Sequence, residues 1–181
     1  MLTQEEAERI LSVPKVIVEN GKVLNSYILD FAKTYDFRIK LSSSDNINRD
    51  AEFLLRIRAS EKMRVKISLH TQDENTRSCV FRLDFNGASH KNPEVINEYV
   101  PDKFKPFAGM IIKGNHVHYH VYDYPSGAWA IPIEKGSFPI KELTEDNYSN
   151  ELKNILDAMS EVIHLESKIT LTSRMMLDGM D

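Results

Sequence analysis

The alternation of apolar and polar residues between Val16 and Phe85 limits the folds open to this chain more than any other feature. The runs Phe37–Leu41 and Met63–Leu69 alternate strictly, and Phe53–Arg58 is a third strand-like run. Side chains two positions apart lie on the same face of a strand, so this pattern predicts strands with one buried face. Short polar connectors separate the runs, which indicates an antiparallel meander.

Helical signals flank the predicted sheet at both ends of the chain. Thr3 and Glu6 have the spacing of a capping box before a helix predicted over Gln4–Ser12. Apolar residues between Ile140 and Leu165 recur at helical spacing. We therefore predict the α+β class, with an antiparallel, strongly curved β-sheet packed by an N-terminal and a C-terminal helix. The expected organisation is a single domain over 1–181, with an N-terminal helix (1–13), a sheet core (36–134), a C-terminal helix (140–165) and a tail (166–181).

Charge and cysteine content restrict the function. The formal net charge is -4, whereas proteins that bind nucleic acid by bulk electrostatics usually carry a basic excess. Any nucleic-acid contact should therefore be local or made through a partner. Cys79 is the single cysteine, which excludes an internal disulfide and fits a reducing cytoplasm. No apolar run approaches 18 residues and the N-terminus is acidic, so we expect no membrane span, no signal peptide and a cytoplasmic location in a bacterial host cell.

A histidine-rich run, His116–Tyr122, is the strongest functional signal. As a strand it would place His116, His118, His120 and Tyr122 on one face. Three interpretations remain open. The run is a polar strand face, or two histidines share a metal with a third ligand, or two histidines act as acid and base without a metal. The third metal ligand would be one of His90, Asp84 and Asp123.

Acid–base chemistry of this kind can cleave RNA through its own 2′-hydroxyl. Arg82 and Lys91 are candidates to stabilise the developing charge, and Tyr122 could donate a hydrogen bond or orient the substrate. Trp129 is more typical of core packing than of base stacking, but it remains a candidate substrate contact. The segment from Ala88 to Gly114 is long and rich in proline and polar residues, so we expect it to cover or border a site. A locally basic pair of strands, Arg56–Arg58 and Arg64–Lys66, could follow a phosphate backbone.

Four motifs in order resemble an uncharacterised bacterial and phage domain family. They are Arg82–Gly87, His90–Pro93, His118–Tyr122 and Trp129–Pro132, and the resemblance covers about Asp36 to Glu134. Its pattern reads R-L-D-x-N-G, H-x-N-P, H-x-H-x-Y and W-A-x-P.

This resemblance implies a fold and a set of positions rather than an activity. His90, His118, His120 and Tyr122 fall on the family's positions, whereas His116 does not and is set aside. Members look like parts of mobile elements and of defence or counter-defence loci. Some phage anti-CRISPR proteins of this length inhibit Cas9, and one kind causes the guide RNA to be cut.

Three hypotheses follow. The first is a phage or mobile-element counter-defence protein that acts as a small, metal-independent endoribonuclease on a structured or guide RNA. Its catalytic residues would be His90, His118, His120 and Tyr122, its substrate contacts Arg82, Lys91 and Trp129, and it would need no cofactor. The second is a non-catalytic anti-CRISPR inhibitor of a basic, Cas9-like partner, with Glu94, Glu98 and Asp102 as an acidic surface. The third is a metal-dependent hydrolase that uses the same histidines.

Overall fold

The computed structural model describes residues 2–45, 51–60, 63–71, 78–135, 138–140, 142–144 and 146–172. No helix in these ranges is long and apolar enough to span a membrane. In chain order the helices and strands are α1 (Gln4–Ser12), β1 (Lys15–Glu19), β2 (Lys22–Leu24), β3 (Ser26–Leu29), β4 (Asp36–Ser43), β5 (Glu52–Arg58), β6 (Val65–Thr71), β7 (Cys79–Phe85), β8 (His90–Lys91), β9 (Ile111–Ile112), β10 (His116–Tyr119), β11 (Trp129–Pro132), α2 (Tyr148–Val162) and β12 (Lys168–Leu171).

Eight of the described strands form one antiparallel sheet in the order β11-β10-β7-β6-β5-β4-β1-β2. Strands β4 to β7 are consecutive neighbours, which confirms the predicted meander and the α+β class. The predicted strong curvature is wrong, because none of the described sheets is strongly curled or closed. The sheet also extends beyond the predicted start at residue 36, since β1 and β2 join it beyond β4.

One face of this sheet is apolar because apolar and polar residues alternate along its strands, and every second side chain of a strand lies on the same face. Leu83, Ile67, Ile57 and Val117 lie on this face and are fully buried. The apolar residues of α1 and α2 belong to the same hydrophobic core. The remaining side chains project from the opposite face, which is the one that matters for function.

Helix α1 begins with the predicted capping box, in which Thr3 and Glu6 each bind the other's backbone N–H. Helix α2 is shorter than the predicted 140–165 at both ends. It ends in a Schellman motif, with His164 at a left-handed φ of 53° and Leu165 N–H donating to the Ser160 carbonyl. Part of the predicted tail is strand β12, which pairs in parallel with β3.

Candidate functional site

Two rows of polar side chains cross the sheet on the face opposite to the core, which we call the polar face. The register of β10, β7, β6, β5 and β4 sets the rows, because directly opposed residues share a face. Both rows start at a histidine of β10. The first row comprises His118, Arg82, Ser68, Arg56 and Arg38, and the second comprises His116, Asp84, Lys66, Arg58 and Asp36.

A buried carboxylate and two buried imidazoles meet where these rows begin. Asp84, His116 and His118, which we call the Asp84 cluster, are at most 5% exposed. The Asp84 Oδ2 atom lies 3.4 Å from His116 Nε2 and 3.3 Å from His118 Nε2. One potential ligand atom from each of the three residues lies within 4.8 Å of the others. Among the described residues, this is the one such group of three.

Backbone carbonyls fix the orientation of both imidazoles. His116 Nδ1 lies 2.8 Å from the Gly114 carbonyl oxygen, and His118 Nδ1 lies 2.9 Å from that of Gly127. A carbonyl oxygen can only accept, so each Nδ1 carries the proton and donates it. In a neutral ring, Nε2 therefore carries the lone pair, and both Nε2 atoms lie close to Asp84 Oδ2.

Two basic side chains complete the surroundings of Asp84. Arg82 Nη2 donates to His118 Nε2 at 2.5 Å, and Arg82 Nε lies 3.1 Å from Asp84 Oδ2. Lys66 Nζ lies 3.5 Å from Asp84 Oδ1. Gly127 allows the guanidinium to approach, because a Cβ there would lie 3.2 Å from Arg82 Nη1 and its φ is +73°.

The charges of the cluster at neutral pH follow from these contacts. Burial raises the pKa of Asp84, but its polar and charged neighbours, among them the positive charges of Arg82 and Lys66, outweigh burial and hold that pKa far below its usual range. Burial lowers the pKa of His118 to about 4, and the Arg82 charge acts in the same direction, against the contact with Asp84. The cluster therefore contains an ionised carboxylate and a neutral His118, which can accept the hydrogen bond from Arg82.

His90 reaches the cluster from the segment between β7 and β10. Its ring centroid lies 4.6 Å from that of His118, and its Nε2 donates to the Ala128 carbonyl at 2.7 Å. Burial lowers the pKa of His90, although the side chain is only half-buried. The segment predicted to cover or border a site thus lies beside the Asp84 cluster.

Asn92 attaches the same segment to the edge of the sheet. Its side-chain amide donates to the Ala130 carbonyl at 2.8 Å and accepts from the Ala130 N–H at 2.9 Å, as a neighbouring strand would. The amide also donates to the Phe107 carbonyl. These bonds satisfy the edge of β11 and hold the segment beside the cluster.

Two residues expected in the site lie elsewhere. Strand β10 ends at Tyr119, and a turn with Asp123 at a φ of 66° follows, so the alternation does not continue to His120 and Tyr122. His120 Nε2 donates instead to the Leu2 carbonyl at 2.9 Å. The Tyr122 ring packs edge-on against Tyr99. Conversely, the structure brings His116 into the cluster, although the sequence resemblance set it aside.

The expected substrate contacts are also separated. Arg82 lies in the cluster, but Lys91 is at the surface and pairs with Glu94 at 2.9 Å. Trp129 is fully buried on the core side, where its ring packs against Phe104 and Tyr124. A base therefore has no access to the Trp129 ring.

An open cavity of about 690 Å³ lies beside the cluster, at the end of the sheet where β5 and β7 end and β6 begins. Its lining includes Asp84 together with three basic side chains, Arg58, Arg64 and Lys66. Tyr35, which is 41% exposed, contributes an aromatic ring. The volume is within the range of cavities that bind small ligands.

The sequence offered Asp84 as one of three possible third ligands for a metal. Only the register between neighbouring strands shows that Asp84, rather than the other two, lies beside the histidines. Arg82 and Asp84 have the same two-residue spacing as His116 and His118. Placing the Arg82/Asp84 pair opposite the His116/His118 pair on neighbouring strands would have identified the cluster. That pairing requires β10 to lie beside β7, which the local pattern does not specify.

The model of a family of unknown function (DUF6978) matches residues 2–165 of the chain. No curated protein and no solved structure matches the chain significantly.

Proposed function

The chain belongs to the DUF6978 family, whose function is unknown, and we propose from the site that it binds RNA on the polar face and cleaves it beside the Asp84 cluster. The observation that carries this proposal is the position of the histidines at one end of a basic surface. The two rows that begin at His116 and His118 contain five basic and two acidic side chains.

Binding would use the basic side chains of the rows to contact phosphates. The rows cross five strands, a width of roughly 19 Å at the usual strand spacing of about 4.8 Å. Arg58, Arg64 and Lys66 converge on the cavity beside Asp84, where Tyr35 can stack on an exposed base. A single strand of RNA suits this surface better than a duplex, because its bases are free to stack.

Cleavage would proceed through the 2′-hydroxyl of the substrate. His90 is the accessible histidine of the group, and its Nδ1 has a free lone pair because Nε2 donates to Ala128. As a general base, His90 removes the proton of the 2′-hydroxyl, and O2′ attacks the adjacent phosphorus. The P–O5′ bond breaks, the departing O5′ takes a proton from water, and a 2′,3′-cyclic phosphate remains. Arg82 stabilises the negative charge on the phosphate.

His116 and His118 act as positioning residues in this mechanism. Each is 1% exposed, so neither ring can contact a phosphodiester directly. His118 accepts a hydrogen bond from Arg82 and Asp84 pairs with the same side chain, so these two residues hold the guanidinium, and His116 lies beside Asp84. The resemblance to a family whose members look like parts of defence or counter-defence loci makes a guide RNA the first structured RNA to test.

The test is incubation of labelled RNA with the protein and two variants, His90→Ala and Arg82→Gln. His164→Asn is the matched control, because His164 is exposed at the end of α2 and far from the described contacts of the cluster. We expect a cyclic phosphate product, loss of about 100-fold or more in rate for His90→Ala, and an unchanged rate for the control. No cleavage by the parent protein, or full activity of His90→Ala, would contradict the proposal.

Binding is measured separately, by titration of uncleavable 2′-deoxy-substituted RNA at several salt concentrations. Arg38→Gln and Arg58→Gln should weaken binding, and each should reduce the slope of log K against log salt by about 0.7. Lys22→Gln on β2 is the control at the other edge of the sheet. Equal affinity of all three variants would contradict binding on the polar face.

A non-catalytic protein-binding role is the second candidate, and an apolar surface rather than an acidic one favours it. Val95, Met110 and Ile111 are 50–74% exposed in the segment between β7 and β10. The acids expected to imitate nucleic acid are largely neutralised, since Glu94 pairs with Lys91 and Asp102 with Lys105. Loss of inhibition or of partner binding in Val95→Glu, with no loss in His90→Ala, would favour this role.

A further inference from the structure

We propose that Asp84, His116 and His118 form a binding site for one divalent transition-metal cation of the zinc type. This site goes beyond the proposed RNA cleavage, because it requires no RNA and His90 is not a ligand. The three ligand atoms are Asp84 Oδ2, His116 Nε2 and His118 Nε2, and a water molecule would complete four-fold coordination.

Two of the three distances between the ligand atoms are those of a tetrahedral site. With metal–ligand bonds of about 2.1 Å, neighbouring ligand atoms in a regular tetrahedron lie about 3.4 Å apart. Asp84 Oδ2 lies 3.4 Å from His116 Nε2 and 3.3 Å from His118 Nε2. A direct charge-assisted hydrogen bond would be shorter, at about 2.7–2.9 Å. Two of the three edges therefore already fit a shared cation, and the third is no longer than 4.8 Å.

The hydrogen bonds around the histidines are also those of metal ligands. A histidine that binds a metal almost always donates its other ring N–H to a carbonyl or carboxylate, which fixes the ring. His116 and His118 each donate Nδ1–H to a backbone carbonyl, those of Gly114 and Gly127. In neutral rings the lone pairs are therefore on the two Nε2 atoms, which lie beside the same carboxylate oxygen.

Asp84 provides a second, independent observation. Asp84 is 95% buried. Its Oδ1 atom has no hydrogen-bond partner among the described residues, although Lys66 Nζ lies at ion-pair distance from that atom. Buried carboxylates usually have partners for both oxygens. Asp84 also lines the 690 Å³ cavity, which gives a cation a route to the site from solvent.

Arg82 holds the place of the cation when no metal is bound. Its guanidinium contacts both His118 Nε2 and Asp84 Oδ2, two of the three ligand atoms. A metal would have to displace it, and the side chain is 22% exposed on the polar face. Metal binding would therefore turn Arg82 outward, so removal of the guanidinium should strengthen metal binding.

The experiment is zinc titration by calorimetry and Co²⁺ titration by visible absorption, on protein made without a histidine tag. We expect one equivalent to bind and the Co²⁺ spectrum to have the strong visible bands of tetrahedral coordination. Asp84→Asn and His116→Asn should weaken binding by more than the roughly 10–100-fold that loss of a supporting hydrogen bond causes. His164→Asn, the matched control, should bind as the parent does.

Arg82→Gln keeps the test informative if the ligand variants fail to fold. It leaves all three ligands in place and should bind zinc more tightly than the parent protein, with a larger rise in Tm on zinc addition. Absence of zinc binding by both parent and Arg82→Gln, or equal binding by the ligand variants and His164→Asn, would overturn the proposal. RNA cleavage is assayed separately in EDTA. Cleavage without zinc binding overturns only the metal site, and zinc binding without cleavage overturns only the proposed ribonuclease.

Discussion

Lys15 offers a sharp test of how the two helices are joined, because its buried ammonium group lies between their ends. Its Nζ donates to the Val13 carbonyl at 2.6 Å, the Ile163 carbonyl at 2.8 Å and the Leu11 carbonyl at 3.3 Å. These carbonyls belong to the C-terminal ends of α1 and α2, which lack partners inside the helices and carry partial negative charge. The perturbation is Lys15→Met, which keeps most of the apolar side chain and removes the donor.

Two opposing contributions determine the size of the effect. Hydrogen bonds from a charged donor contribute about 1.5–3 kcal/mol each, so loss of the two short ones costs about 3–6 kcal/mol. Burial lowers the pKa of Lys15 from 10.5 to about 8, and a shift of that size corresponds to a burial penalty of about 3 kcal/mol. The Met variant avoids this penalty, so at pH 7 it should be less stable by about 0–3 kcal/mol.

The difference between the two proteins should grow as the pH rises. Above pH 8 the folded protein releases the Lys15 proton, whereas the unfolded chain keeps it until about pH 10.5. The unfolded state then binds more protons, so the stability of the parent protein increases with pH over this window. Urea denaturation at pH 7 and pH 10 should show that the deficit of Lys15→Met increases by about 2–3 kcal/mol.

Comparison of the two proteins removes the effect of other groups that titrate in this window. Burial raises the pKa of Cys79 to about 11, so its contribution to stability is lost as the pH rises above 9. This loss is common to both proteins and cancels in the difference. Lys22→Met, at an exposed lysine of β2, is the control. A deficit of Lys15→Met that stays constant from pH 7 to pH 10 would refute the reasoning.

Three further predictions concern the surroundings of the site. Asn92→Ala removes three side-chain hydrogen bonds and should reduce the free energy of unfolding by about 3 kcal/mol. It should also expose residues 94–110 to proteases, which limited proteolysis would detect. His120→Ala should lower stability by about 1–2 kcal/mol through loss of the bond to Leu2 while RNA cleavage continues at the parent rate. Cys79 is buried and its pKa is raised, so a thiol reagent should modify it only in denaturant, and rapid modification of the folded protein would contradict its position.

The meander was predictable because its signal is local. Apolar residues recur at every second position of the seven-residue strands β5, β6 and β7, with Leu54 and Val80 as further apolar residues, and one buried face follows directly from that alternation. The strands β3 and β12 have no such signal. Each has four residues, and they pair across about 140 positions of the chain, so only the folded structure shows that they are partners.

The candidate site was predictable in its location but not in its membership. The histidine run marked β10 correctly, yet alternation alone could not show that the strand ends at Tyr119 and leaves His120 to bind the N-terminal segment. Asp84 and His116 are opposed because β10 lies beside β7, and 30 residues separate the two strands in sequence. The two residues that complete the cluster with His118 thus depend on a long-range pairing.

The net charge of the chain is likewise a poor guide to what it binds. A formal charge of -4 disfavours RNA binding by bulk electrostatics, but at physiological salt charges interact only over a Debye length of about 8 Å. A ligand on a surface roughly 19 Å wide therefore responds to the local charges rather than to the total. Five basic and two acidic side chains in the two rows give the polar face a net positive charge of three when its histidines are neutral. The strand register, rather than the composition, places those charges beside the histidines, so loss of RNA binding on Arg38→Gln and Arg58→Gln tests the fold-dependent part of the proposal directly.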